Sequence, residues 1–96
     1  YALAFHDIGP KAPMHILVIP KGPYVNADHF ADSANEAEIT GFVRAVAVVT
    51  RQAGLNPDAG TGYRLISNAG PDGMQEVPHY HVHVLAGRVL GPMLVE

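Results

Sequence analysis

The 96-residue chain contains no cysteine. That absence excludes disulfides and thiolate sites, and it fits a reducing, cytoplasmic setting. Charge of one sign is also scarce. Lys11, Lys21, Arg44, Arg51, Arg64 and Arg88 stand singly, and the net charge is −3 at pH 7. Neither duplex nucleic acid nor an anionic membrane is drawn to such a surface. A small phosphorylated ligand stays open, because backbone amides, helix termini and histidines bind phosphate without clustered lysines. No apolar run approaches the roughly eighteen residues of a membrane span, and no signal-peptide pattern is present, so a soluble domain is expected. The chain also lacks an initiator methionine. It opens on "YALAFHDIGP", already strand-like, so residues before Tyr1 and a part of the fold with them are expected in the whole protein.

What is present describes a globular chain, with 48% apolar and 16% charged residues, sized for one domain over 1–96. Residues 1–6 predict a strand that stops at the turn-rich "DIGPKAP". "MHILVI", 14–19, predicts a buried strand, and 20–32, with two prolines and a glycine, a connecting loop. Ser33 with Glu36 fits a capping box that starts a helix. Ile39, Phe42, Val43, Val46, Val49 and Ala53 give that helix one apolar face, and Gly54 stops it. "YRLISN", 63–68, alternates like a strand, "AGPDGMQEVP" is a loop, and 79–86 predict a last strand. The tail is apolar yet broken by Gly91 and Pro92, and is expected to lean on a partner subunit. These elements give an α+β fold: an antiparallel sheet of four to five strands with one long helix. One helix covers one sheet face, which points to a homodimer with a continuous sheet.

His79, His81 and His83 fall at alternate positions of the last strand. Side chains alternate along a strand, so the three are expected on one face, with Tyr80, Val82 and Val84 filling the core on the other. Neighbouring imidazoliums about 7 Å apart repel by about 2 kcal/mol at an effective dielectric near 20. The row therefore resists carrying three protons at neutral pH, leaving neutral rings free as nucleophiles, bases or ligands. Zinc needs ligands at about 2.0–2.1 Å, whereas the outer histidines of a straight strand lie about 13 Å apart. A metal would have to borrow His15 or Asp7. No cofactor is expected to be required, and zinc stays open as a disfavoured alternative. The central His81 is the best placed to react.

"HYHVHVL", 79–85, matches the alternating signature of the histidine triad (HIT) superfamily, and the chain resembles its HINT branch more widely. "LAFHDIGPKAPMHILVIPK" (3–21), "GYRLISNAGPDGMQEV" (62–77) and "LAGRVLGPML" (85–94) carry that resemblance. It implies a HIT-like fold, a homodimer and a purine nucleotide (AMP-like) substrate, hydrolysed at the bond from a nucleoside monophosphate to an amine. A dinucleoside polyphosphate hydrolase, a nucleotidyl transferase and a nucleotide-binding module with vestigial activity remain the alternatives.

The resemblance also implies roles. His81 attacks the α-phosphorus to give a nucleotidyl-histidine, the logic of splitting one displacement into two. His83 faces the phosphoryl or leaving-group oxygens. His79 and His15 support and orient the triad. Asp7 accepts from the ribose hydroxyls, a task its two oxygens suit, while Phe5 and Ile8 line the nucleoside pocket. Asn68, Gln75, Glu76 and Val77 approach the phosphate and leaving group. His6 is read as structural. Met74 stands where relatives often carry glycine, Glu76 where many carry serine, and Ala86 where glycine is common.

Overall fold

The computed structural model describes residues 2–94. Four strands, β1 (Ala2–His6), β2 (Met14–Pro20), β3 (Arg64–Ile66) and β4 (Val82–Ala86), form one antiparallel sheet in the order β1-β2-β4-β3. Two helices, α1 (Ala27–Ser33) and α2 (Glu36–Gln52), and a 3₁₀ turn at Pro57–Ala59 lie between β2 and β3. This is the antiparallel α+β arrangement that the patterning predicts, with one helix more.

The central strands carry the core. Ile16 and Val18 of β2 oppose Val84 and Val82 of β4, and all four are buried. Phe42 and Val46 of α2 and Phe30 of α1 close over them, with Leu55 and Ala86 at the margin. Because strand side chains alternate, this packing sends His15 and Leu17 of β2 and His83 and Leu85 of β4 to the opposite face. A helix thus covers one side of the sheet, and the chemistry sits on the other. No helix among the described residues is long and apolar enough to cross a membrane.

Several expected boundaries move. The segment 20–32 is not wholly loop: α1 forms inside it, capped by Asn26, whose side chain accepts from the His29 N–H at 2.9 Å. Only Phe30 of α1 is buried, so the helix has almost no apolar period to read. The capping box belongs to Asn35 and Glu38, not Ser33 and Glu36. Asn35 Oδ1 accepts from Glu38 N at 2.8 Å, and Glu38 Oε1 from Asn35 N at 3.3 Å. Ser33 ends α1 instead. On α2, Val43 faces outward, 63% exposed, and Thr50 is buried in the register expected of an apolar residue. Its hydroxyl is satisfied by the Ala47 carbonyl at 3.0 Å. Gly54, at φ 80, does end the helix.

The last two strands are shorter than the alternation predicts. β3 stops at Ile66, since Ser67 Oγ donates to the His81 carbonyl and Asn68 Nδ2 to Gly73 O. β4 begins only at Val82, so His79 and His81 precede the strand. Its partner β2 ends at Pro20, beyond which the Tyr80 N–H donates to Tyr24 O at 2.7 Å. The Tyr80 ring still packs 5.2 Å from both Phe30 and Phe42.

Candidate active site

The sheet face away from the helices opens into a cavity of about 680 Å³. Its floor is built by register. Leu17 and Ile66 flank His83 across the sheet, and His15 sits opposite Leu85. Asp7 and Lys11 come from the β1–β2 loop, Asn68, Met74, Glu76 and Val77 from the loop after β3, and His81 from the approach to β4.

Proton positions can be assigned from hydrogen-bond partners. The Lys11 backbone N–H donates to His15 Nδ1 at 3.0 Å. A neutral His15 must then carry its proton on Nε2, which lies 2.9 Å from His83 Nδ1. His15 donates and His83 accepts. The His83 proton is therefore on Nε2, the nitrogen left free to act as a donor. A second chain runs the other way. His81 Nδ1 is 2.6 Å from the His79 carbonyl, which only accepts, so Nδ1 carries the proton. The lone pair of His81 is thereby left on Nε2. Two adjacent imidazoles, with ring centroids 4.9 Å apart, are set in opposite roles by backbone groups.

Electrostatics supports the neutral form of His83. Burial, followed by the neighbouring His81 and His15, pushes the His83 imidazole below its usual value near 6.5. Asp7 Oδ1 accepts from Gly9 N at 2.7 Å, while Oδ2 lies 3.6 Å from His15 Nε2. The Gly9 hydrogen bond foremost, and then His15, Lys11 and His83, hold this carboxyl below the ordinary carboxylate range, against some desolvation.

Of the residues singled out in the sequence, Asp7, Ile8, His15, Asn68, Glu76, Val77, His81 and His83 line one cavity. Phe5, Gln75 and His79 do not. Phe5 lies on the same sheet face, but in register with Leu17, one strand farther from His83. The Gln75 amide is used within the protein: Nε2 donates to Val25 O at 2.6 Å and Val77 O at 3.1 Å, and Oε1 accepts from Gly70 N at 3.1 Å. The His79 ring is pinned through Nε2 to Pro20 O at 3.1 Å, and only its carbonyl reaches His81. The expected row of three rings on one face is thus a pair, His81 and His83, with His15 in the third place.

Lys11 has no role in the sequence pattern, and Met74 enters it only as a departure from the family's usual glycine. Lys11 sets the His15 tautomer through its backbone, and its Nζ donates to Gly9 O at 2.9 Å. A backbone contribution leaves no signature in residue type. Met74 sits at φ 56, the one non-glycine residue with positive φ among those described. That conformation costs an L-residue about 1–2 kcal/mol. Its mismatch with the family pattern was visible in the sequence, but not its place on the rim.

Asp7, His15 and His83 also offer ligand atoms within 4.8 Å of one another, the spacing of a metal centre. The donor set does not fit one. A ligating histidine needs a lone pair, yet His15 Nδ1 is occupied by the Lys11 N–H and Nε2 holds a proton. Turning the ring over would strand a partly buried backbone donor, at a cost of about 1–3 kcal/mol. The cluster is built as a hydrogen-bond relay.

Comparison with known proteins agrees with this geometry. The HIT domain family matches residues 1–90. A 13.2 kDa HIT-like protein of Azospirillum brasilense is 60% identical over 96 residues, all of this chain and 76% of that protein. The purine nucleoside phosphoramidase of Escherichia coli K12 is 44% identical over 93 residues, 95% of this chain and 73% of that one. A histidine triad protein from Clostridium difficile superposes with a TM-score of 0.81 at 35% identity, covering 97% of this chain and 77% of its own. The chain belongs to the HIT domain family.

Proposed function

We propose that the protein hydrolyses nucleoside 5′-phosphoramidates through a covalent nucleotidyl-histidine on His81. The observation that carries this reading is the opposed polarity of the two cavity imidazoles, with a lone pair on His81 Nε2 and an N–H on His83 Nε2. A phosphoryl group seated between them meets a nucleophile and a hydrogen-bond donor together. His81 Nε2 forms a bond to phosphorus as the P–N bond breaks. That electron pair goes to the amine nitrogen, which takes up a proton and departs. Water then adds to phosphorus, the N–P bond to His81 breaks, and a nucleoside monophosphate leaves as the water proton passes to solvent. His83 Nε2–H stabilises the phosphoryl oxygens at each step, a contribution that grows in a water-poor cavity. Asp7 Oδ2 faces the cavity as an acceptor for sugar hydroxyls. The kinship to a purine nucleoside phosphoramidase supports an AMP-like substrate.

The direct test is turnover of an adenosine phosphoramidate by wild type and His81→Ala, with matched circular dichroism. Loss of a nucleophile typically removes at least about a thousandfold in kcat, because the partner groups cannot substitute for it. An equal rate in the variant would overturn the mechanism.

We also propose that the protein works as a homodimer. Leu65 is in register with buried Val84, so it faces the helix side, yet it stays 46% exposed on the edge strand β3. Val43 of α2 is exposed as well. A second copy covers both. Sedimentation should give a dimer for wild type and a monomer for Leu65→Glu, and a monomeric wild type would exclude it.

A further inference from the structure

Met74 occupies a backbone conformation that glycine adopts freely and a branched or long side chain does not. Hydrogen bonds hold the loop around it. Met74 N donates to Pro71 O at 3.0 Å, and Gln75 N to Gly70 O at 3.1 Å. Asn68 Nδ2 holds Gly73 O at 2.7 Å. At Gly73 an added Cβ would come within 2.6 Å of Ala69 O, so that position requires glycine. Position 74 carries no such restriction on size, but its φ of 56 would be met without strain by glycine.

The methionine side chain therefore serves neither the turn nor the core, being 77% exposed. What it does touch is the cavity that holds His81 and His83. Ile8 and Val77 of the same cavity are also exposed; Glu76 is the carboxylate that the Met74 loop gives to it, and Asp7 and Lys11 enter from the β1–β2 loop. Glu76 makes no hydrogen bond or ion pair with the described residues. Residues forced into αL backbone recur where a ligand is clamped, and a thioether adapts to irregular apolar shapes.

We infer that Met74, with Ile8 and Val77, forms an apolar clamp for the leaving group and selects amines that carry a hydrocarbon chain or ring. The inference rests on the phosphoramidate reading above and names its substrate class. An amine of this kind matches the rim in both respects, with a nitrogen that becomes cationic near Glu76 and a body for the apolar surface. Unsubstituted ammonia, as a leaving group, satisfies only the first.

The test compares kcat/KM for adenosine 5′-phosphoramidates of n-hexylamine and of ammonia, in wild type, Met74→Gly and Met74→Leu. The hexylamine-to-ammonia ratio should fall about tenfold in Met74→Gly, the scale of one or two methylene contacts in an apolar pocket. Met74→Leu should restore the ratio to within about twofold of wild type, since it keeps the apolar bulk. Thermal unfolding of Met74→Gly should occur no lower than that of wild type, because glycine relieves the positive φ. An unchanged ratio in Met74→Gly would overturn the inference and leave the phosphoramidase reading intact. Failure of wild type to cleave either compound would instead remove that reading, and the clamp with it.

Discussion

The floor of the cavity and its rim are built by different forces. His15 and His83 stand on β2 and β4, two strands whose other face is the most buried part of the molecule. Shifting either by one residue would turn its histidine into the core and its valines into water, so packing fixes the floor. The rim, from Asn68 to Val77, has no such register to fix it. It is held by side-chain bonds from Asn68 and Gln75 and by turns through Gly70 and Gly73. Core packing thus holds His15 and His83, and Tyr80 in the core holds His81 beside them, whereas hydrogen-bonded turns hold the loop proposed to discriminate among substrates.

The strongest way to break the floor without touching the reacting atoms is His15→Phe. The positioning role of His15 is to receive the Lys11 N–H and pass its own to His83. Phenylalanine fills the space and does neither. Activity should fall about 10–100-fold, as when partners that orient a working histidine are removed. Urea unfolding should register a loss of about 1–3 kcal/mol from the stranded donor. His15→Gln, whose amide can accept and donate, should recover part of the activity. If Phe and Gln variants are equally impaired, the relay is not what His15 supplies.

The same floor has a pH signature. The native His83 imidazole is depressed below its ordinary value near 6.5, so the unfolded chain binds its proton more readily. Stability from this group is complete above about pH 6.5 and is lost as pH falls from there through the native value. An NMR titration should place the His83 ring midpoint below that of a free imidazole. In His15→Phe the midpoint should move upward, because one of the neighbours depressing it has gone. A downward move would mean that His15 supports the charged form instead.

The division between floor and rim also separates what residue patterns reveal from what they conceal. The apolar run of β2, the period of α2 and the alternation from Val82 to Ala86 are direct consequences of burial, and their positions follow from the sequence. Alternation carried too far becomes misleading: it extends a strand back to His79, whereas the β2–β4 ladder ends at the Val18–Val82 pair. Residue type singles out His81 and His83 as candidates, but their tautomers depend on a carbonyl at 79 and an amide at 11. Gln75 shows the converse. A polar residue beside a site reads as a ligand contact, while its amide is fully used in bracing the loop.

The smallest expected effect concerns Glu76, the rim carboxylate that lines the cavity. It lies exposed on the cavity with no partner among the described residues, so solvent screens it and its field is weak. Exposed charge pairs contribute about 0.2–1 kcal/mol, which sets the scale at no more than about fivefold in rate. For a leaving amine that gains positive charge, the carboxylate is attractive and can relay a proton. For a leaving phosphate, as from a dinucleoside polyphosphate, it is repulsive. Glu76→Gln should therefore slow the amine substrate by about threefold to fivefold and leave the phosphate-leaving one unchanged or slightly faster. Equal losses on the two would show that Glu76 shapes the loop in the manner of Gln75, moving it from the discriminating surface of the rim to its scaffold.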